Sequence, residues 1–220
     1  MDLILILIIL IIPMIAQGNI MTSYSKYKKL ENNKNLSGQE VAQRILKENN
    51  LENIYIIETG GNLSDHYDPT RKVVRLSKDI FHGTSVAAMS VAAHEVGHAI
   101  QDKEGYSFFR LRSLIFPVVN IGTQFSYIVI FIGFLMQALN LIYLGIALTA
   151  LGLVFQVITL PVEFDASNRA KKELDKIYNI DESDKVGVSK MLNAAALTYV
   201  AGVLASALNI IRLLLAVREN

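Results

Sequence analysis

Residues 113–162 read SLIFPVVNIGTQFSYIVIFIGFLMQALNLIYLGIALTALGLVFQVITLPV, 50 consecutive positions without an Asp, Glu, Lys or Arg. A bilayer core of about 30 Å is crossed by about 20 helical residues, so the run predicts two membrane helices and the turn between them. Gln137 and Asn140 place the turn at 137–140, while Pro117 lies near the entry and Pro161 near the exit. The composition agrees with a small membrane protein: 220 residues, 52% hydrophobic and 19% charged. Lys+Arg 21 against Asp+Glu 20 leaves a net charge of +1, so no global field collects polyanions, and a nucleic-acid partner is excluded. Cysteine is absent, which removes disulfides and thiolate metal sites and leaves any metal to His, Asp and Glu.

Two further apolar blocks flank the run. Residues 3–16 (LILILIILIIPMIA) follow Asp2 rather than a basic residue and end in a poor small-x-small cleavage site, which favours a retained N-terminal membrane helix. Residues 192–211 are rich in small side chains (Ala194, Ala195, Ala196, Ala201, Gly202, Ala205, Ala207), as suits close helix packing in a bilayer. The expected organisation is an N-terminal membrane helix at 1–16, a small α/β domain at 17–112, a transmembrane hairpin at 113–162, a further helix at 163–190, and a C-terminal membrane helix at 191–220. The fold class is a mainly α membrane protein of about four transmembrane helices with a small α/β domain.

Within 17–112, Ser37 and Glu40 form a capping-box pattern, and Val41, Ala42, Ile45 and Leu46 give the helix that follows one apolar face. IYII at 54–57 and KVVRL at 72–76 read as strands separated by turn-like residues 65–70; the second is expected to be an edge strand able to pair with an extended substrate. A helix then starts near Thr84 or Ser85 and runs through SVAAMSVAAHEVGHAIQ.

That helix contains His94-Glu95-Val96-Gly97-His98, an H-E-x-x-H motif. Residues i and i+4 share one helical face, so both imidazoles can reach one metal, and Glu95 stands where it can deprotonate a water there. Neutral imidazole suits Zn²⁺, expected at one per chain. The neighbours are apolar or small, and buried His and Glu are costly without partners, which a metal supplies. A catalytic zinc needs a third protein ligand. Glu163 is favoured over His66, His82 and Asp165, because it is the first charge after the uncharged run and a hairpin returns it to the side from which His98 departs.

These segments together resemble a family, the YugP-like membrane zinc metallopeptidases, through LSDHYDP (63–69), VVRLS (73–77), SVAAMSVAAHEVGHAIQ (85–101), LPVEFDASNRA (160–170) and LNAAALTYVA (192–201). The order of motif, hairpin and glutamate is more distantly similar to gluzincin membrane proteases of the HtpX kind, whose third ligand opens an E-x-x-x-D motif. Glu163 matches the ligand, and Ser167 stands where that motif has aspartate. Asp165 lies about 200° round the helix from Glu163 and reads as an external or salt-bridging residue. The resemblance implies a zincin-like catalytic domain at 17–112 with the third metal ligand on the helix at 163–190. Motif and resemblance together predict peptide-bond hydrolysis with His94, His98 and Glu163 as zinc ligands and Glu95 as general base, and the residues offer His66, Tyr67, Arg169 and Tyr199 as candidate oxyanion donors. The expected partners are a peptide or membrane-protein substrate and the lipid bilayer.

Two other readings compete. An intramembrane protease would need the motif inside the bilayer, but the uncharged residues 80–93 are too short and carry His82, Ser85 and Ser90. A metal-stabilised scaffold or chaperone-like binder would have no use for a base at Glu95. Basic residues number 13 in 17–112 and 6 in 163–190 against none at the hairpin turn, which places both polar blocks on the cytoplasmic side of a multi-pass cell-membrane protein.

Overall fold

The computed structural model describes residues 2–61 and 64–219. Seven helices and a three-stranded sheet are formed by them: α1 (Asp2–Tyr27), α2 (Gly38–Glu48), β1 (Tyr55–Thr59), β2 (His66–Asp68), β3 (Val73–Ser77), α3 (Lys78–Phe81), α4 (Val86–Glu104), α5 (Ser107–Leu135), α6 (Leu139–Tyr178) and α7 (Glu182–Glu219). The chain is mainly helical, and four helices are long and apolar enough to cross a membrane: Leu3–Tyr27, Ser107–Leu135, Leu139–Tyr178 and Glu182–Arg218. At about 1.5 Å per residue each exceeds the hydrocarbon thickness of about 30 Å.

Contacts divide the chain into two compact units. The apolar unit comprises the described parts of Met1–Gln17, Arg110–Pro161 and Leu197–Asn220; the polar unit comprises Gly18–Phe109 and Val162–Ala196. In the apolar unit, α5 and α6 are antiparallel neighbours joined at Met136–Gln137–Ala138, with Gln137 in the left-handed region (φ 53°). A small cluster of Ile130, Ile142, Ile146, Leu213 and Val217 ties α5, α6 and α7 together. Pro117 and Pro161 do not end their helices but lie inside them, as does Pro13 in α1. Membrane helices tolerate the lost backbone bond because neighbours and local adjustments satisfy the freed group.

The helix α1 also runs past the apolar block of residues 3–16. Polar side chains at Gln17, Asn19 and Thr22 interrupt hydropathy without breaking helical periodicity. Ile20 and Tyr27, seven residues apart on one face, are buried in the core of the polar unit, so packing sustains the helix where composition does not.

The polar unit is built around α4. Ser85 caps its first turn by accepting from the Ala88 N–H, and Gly105, left-handed at φ 66°, closes its end. Val86, Ala88, Met89, Ala92, Val96, Ala99 and Ile100 are buried around it. The predicted capping box opens α2, with Ser37 Oγ accepting from the Glu40 N–H and Glu40 Oε2 accepting from the Ser37 N–H; Val41, Ala42, Ile45 and Leu46 are buried.

The sheet order is β1-β3-β2, with β1 parallel and β2 antiparallel to β3. This corrects one expectation. The KVVRL run forms the central strand, buried at Val73, Val74, Leu76 and Ser77, so it has no free edge to offer a substrate. The edges belong to β1 and to β2, three residues from the segment that reads as a turn in sequence. Short polar strands carry too little pattern to be found that way, and His66↔Arg75 and Asp68↔Val73 pairing supplies what propensity lacks.

Gly97 sets the approach of α4 to α6. A Cβ there would stand 2.6 Å from the Ala166 carbonyl oxygen, closer than any real side-chain carbon sits. The two backbones therefore meet at the glycine between Glu95 and His98 on one side and between Glu163 and Ser167 on the other.

Candidate metal centre

One helical turn separates His94 from His98, and the α4–α6 contact at Gly97 brings Glu163 against both. Glu163 Oε2 lies 3.3 Å from His94 Nε2 and 3.7 Å from His98 Nε2. One ligand atom from each of the three residues falls within 4.8 Å of the other two. Among the described residues this is the one group of three or more His, Asp or Glu side chains gathered in that way.

The donor set fits a zinc ion. Ligands at about 2.0–2.2 Å in a tetrahedral arrangement stand about 3.4 Å apart, close to the two separations measured. Glu163 is 1% exposed and His98 7%, so this carboxylate is removed from water and faces two imidazoles, a combination that a divalent cation compensates. The far nitrogens are engaged elsewhere: His94 Nδ1 lies 3.3 Å from Ser167 Oγ, and His98 Nδ1 lies 3.0 Å from Gln101 Oε1. The Nε2 atoms are thereby left to face Glu163.

Glu95 is buried beside this group, and one of its oxygens, Oε2, accepts the Tyr67 main-chain N–H at 3.0 Å. Burial pushes its carboxyl up to about 7; the neighbouring His94 pulls it down and Glu163 raises it. Tyr67 belongs to β2, so the outer edge of the sheet is fastened to the helix that carries the motif. Its side chain is fastened as well, with Tyr67 Oη donating to Asp102 Oδ2 at 2.8 Å and Lys72 Nζ donating to the same oxygen at 2.6 Å. Burial and the Asp102 carboxylate hold the phenol well above its ordinary pKa, so it stays a neutral donor.

The other candidates are accounted for individually. His66 is exposed, with Nδ1 2.8 Å from the Ser64 carbonyl oxygen, and His82 is exposed with Nε2 2.7 Å from Glu58 Oε2; neither joins the group. Asp165 accepts from Arg169 Nε at 2.5 Å and so is the salt-bridging residue its helical position implies. Arg169 also bonds Glu104 at 2.6 Å, which commits its guanidinium away from an oxyanion role. Tyr199 belongs to the apolar unit. The roles of Gln101, Ser167 and the Tyr67 N–H escaped the sequence reading, although helical spacing held a signal for two of them: Gln101 follows His98 by three positions, and Ser167 follows Glu163 by four.

Comparison with known proteins gives the chain a family. A family model described as "Putative neutral zinc metallopeptidase" matches residues 2–218. A Bacillus subtilis (strain 168) protein named "Putative membrane protease YugP" is 46% identical over 197 residues, covering 90% of this chain and 88% of the relative. No solved structure matches. The match of the family model from the first apolar helix to the last, together with that identity, means that the chain belongs to this zinc metallopeptidase family.

Proposed function

We propose that the chain is a membrane-bound zinc endopeptidase, with His94, His98 and Glu163 holding one Zn²⁺ and Glu95 acting as general base. The observation that carries this reading is the convergence of a half-buried and a buried imidazole on a buried carboxylate, with a second buried carboxylate adjacent. When bound, zinc supplies a Lewis acid that polarises the scissile carbonyl and acidifies water. Glu95 has one oxygen held by Tyr67, which fixes the carboxylate plane and leaves the other oxygen to take a proton from the attacking water. The same oxygen then returns that proton to the leaving amine.

The polar unit reads as a zincin-like domain: a motif helix, a sheet whose outer strand borders it, and a third ligand on a later helix. The substrate is an extended peptide or a segment of a membrane protein, laid beside β2 rather than the buried β3, because β2 is the edge tied to Glu95. The basic residues of both polar blocks favour a cytoplasmic site.

The deciding experiment compares wild type with Glu95→Gln in detergent. The variant should keep its zinc and lose at least about 100-fold in peptide hydrolysis, since general-base catalysis supplies about 10²- to 10⁴-fold. Undiminished turnover would favour a metal-stabilised scaffold. Sidedness is read with single cysteines in a chain that has none: an impermeant thiol reagent on intact cells should label Asn140→Cys but neither Glu52→Cys nor Lys172→Cys. Labelling of both latter positions would reverse the orientation.

A further inference from the structure

Gln101 is 0% exposed and occupies the turn of α4 after His98, and every polar atom of its amide is engaged. Its Nε2 donates to the Val162 carbonyl oxygen at 2.8 Å and to Asp165 Oδ2 at 2.8 Å. A carbonyl and a carboxylate only accept, so the amide nitrogen must face them and the amide oxygen must face His98. Oε1 then accepts, and His98 Nδ1, 3.0 Å away, must carry the hydrogen. This chain of forced roles leaves the lone pair of His98 on Nε2, the atom 3.7 Å from Glu163. Asp165 is itself held by Arg169, which reaches back to Glu104 at the end of α4.

Val162 and Asp165 flank Glu163 on α6. One buried amide thus joins a ligand-bearing turn of α4 to both sides of the ligand on α6, and fixes the tautomer of one ligand while holding the other in register.

We infer that Gln101 is a positioning residue of the metal centre, presetting His98 for coordination through Nε2 and locking α4 to the Glu163 turn of α6. The inference rests on the zinc reading above. A free glutamine without this role would lose little on replacement, whereas outer partners of ligating histidines are worth about 10- to 100-fold in metal affinity.

The test measures zinc affinity of the full chain in detergent by competition with a chromophoric chelator, beside the thermal midpoint of the metal-free protein and the ¹⁵N signature of the His98 tautomer. Gln101→Leu should weaken zinc binding by about 10- to 100-fold. It should also lose the Nδ1-protonated signature of His98 and leave the metal-free midpoint within a few degrees. Gln101→Glu alone keeps an acceptor for His98 but sets a carboxylate against Asp165, and should also bind zinc weakly. Adding Asp165→Asn restores a donor opposite the new carboxylate, while the Val162 carbonyl still lacks one, and should recover part of the affinity and the signature. Unchanged zinc affinity in Gln101→Leu, or no recovery in the double variant, overturns the role of Gln101. If wild type itself binds no zinc that His94→Ala abolishes, the metal reading fails instead, so the two failures are told apart.

Discussion

An exposed side chain means different things in the two units. In the apolar unit Leu114 is 75% exposed, Val118 67% and Phe131 63%, along helices with almost no charge. In the polar unit the side chains of comparable size, Ile45, Leu76 and Met89, are fully buried, and the surface carries the charge. Water would make the first arrangement untenable, because a contiguous apolar exterior of that size demands another solvent. The second is an ordinary aqueous core. The hydrophobic effect thus builds one region from inside, while the other owes its cohesion to close packing and hydrogen bonds such as Ser206 Oγ to Gln156 Oε1 and Asn209 Nδ2 to Tyr127 Oη.

The sharpest break in this comparison should come from the place where the polar unit has no slack. Gly97→Ala puts a methyl group 2.6 Å from the Ala166 carbonyl, against backbone that cannot swing aside. The helix-propensity gain of about 1 kcal/mol is outweighed by overpacking of about 1–3 kcal/mol. The larger consequence is functional, because separating α4 from α6 withdraws Glu163 from His94 and His98. Zinc occupancy should collapse while the protein still inserts in the membrane. Full occupancy measured by elemental analysis would show that α6 does not need this approach.

A charge substitution tests the solvents directly. Ile121, 59% exposed near the middle of α5, and Gln43, exposed on α2, are both surface positions by area. Ile121→Arg should cost about 2.5–3.5 kcal/mol of insertion free energy and reduce the amount recovered from membranes. Gln43→Arg should stay within about 0.5 kcal/mol of wild type. Equal recovery of the two proteins would mean that α5 faces water.

The two regions also differed in what a reader of the sequence could find. The uncharged run and the H-E-x-x-H motif are strong one-dimensional signals: absence of charge and i,i+4 spacing survive without knowing any tertiary contact. The Ser37–Glu40 capping box is equally local. What escaped depends on contacts distant in sequence. The strand β2 exists because residues 66–68 pair with 73–75 and because Glu95 takes the Tyr67 N–H. The central place of β3 follows from a crossover that no property of KVVRL encodes. The continuation of α1 to Tyr27 and of α6 through Pro161 reflects packing that overrides local polarity and a local breaker. At the candidate metal centre, the nearness of Glu163 to the two histidines was reachable by topology, whereas the partners of the far imidazole nitrogens left only a weak spacing signal at Gln101 and Ser167.

One of those partners gives a subtler test. Ser167 Oγ stands 3.3 Å from His94 Nδ1, a long contact through a neutral hydroxyl where the similar E-x-x-x-D motif has a carboxylate. Ser167→Ala should weaken zinc binding by about 10-fold, the lower end of the range for such partners. Ser167→Asp, if the pocket accepts it, should tighten binding, because a carboxylate raises the basicity of the ligand more than a hydroxyl does. Chelator competition on both variants decides it: equal affinities for the two would deny Ser167 any part in orienting His94.

The smallest expected effect returns to glycine and completes the contrast with Gly97. Gly122 lies in α5, and a Cβ built there meets Leu148 Cδ2 at 3.5 Å and Leu151 Cδ1 at 3.7 Å, ordinary contacts with the flexible ends of two leucines. The added methyl fills space without displacing backbone, and alanine is the better helix former. Gly122→Ala should therefore leave zinc content and peptide hydrolysis at wild-type levels and shift the thermal midpoint in detergent by no more than a few degrees, upward if at all. The same chemical change is then severe at Gly97 and nearly silent at Gly122, for a reason visible in the atoms each methyl meets: a fixed carbonyl oxygen at Gly97, and mobile side-chain ends at Gly122. Loss of folded protein in Gly122→Ala would mean that α5 and α6 pack as tightly at this level as α4 and α6 do at Gly97.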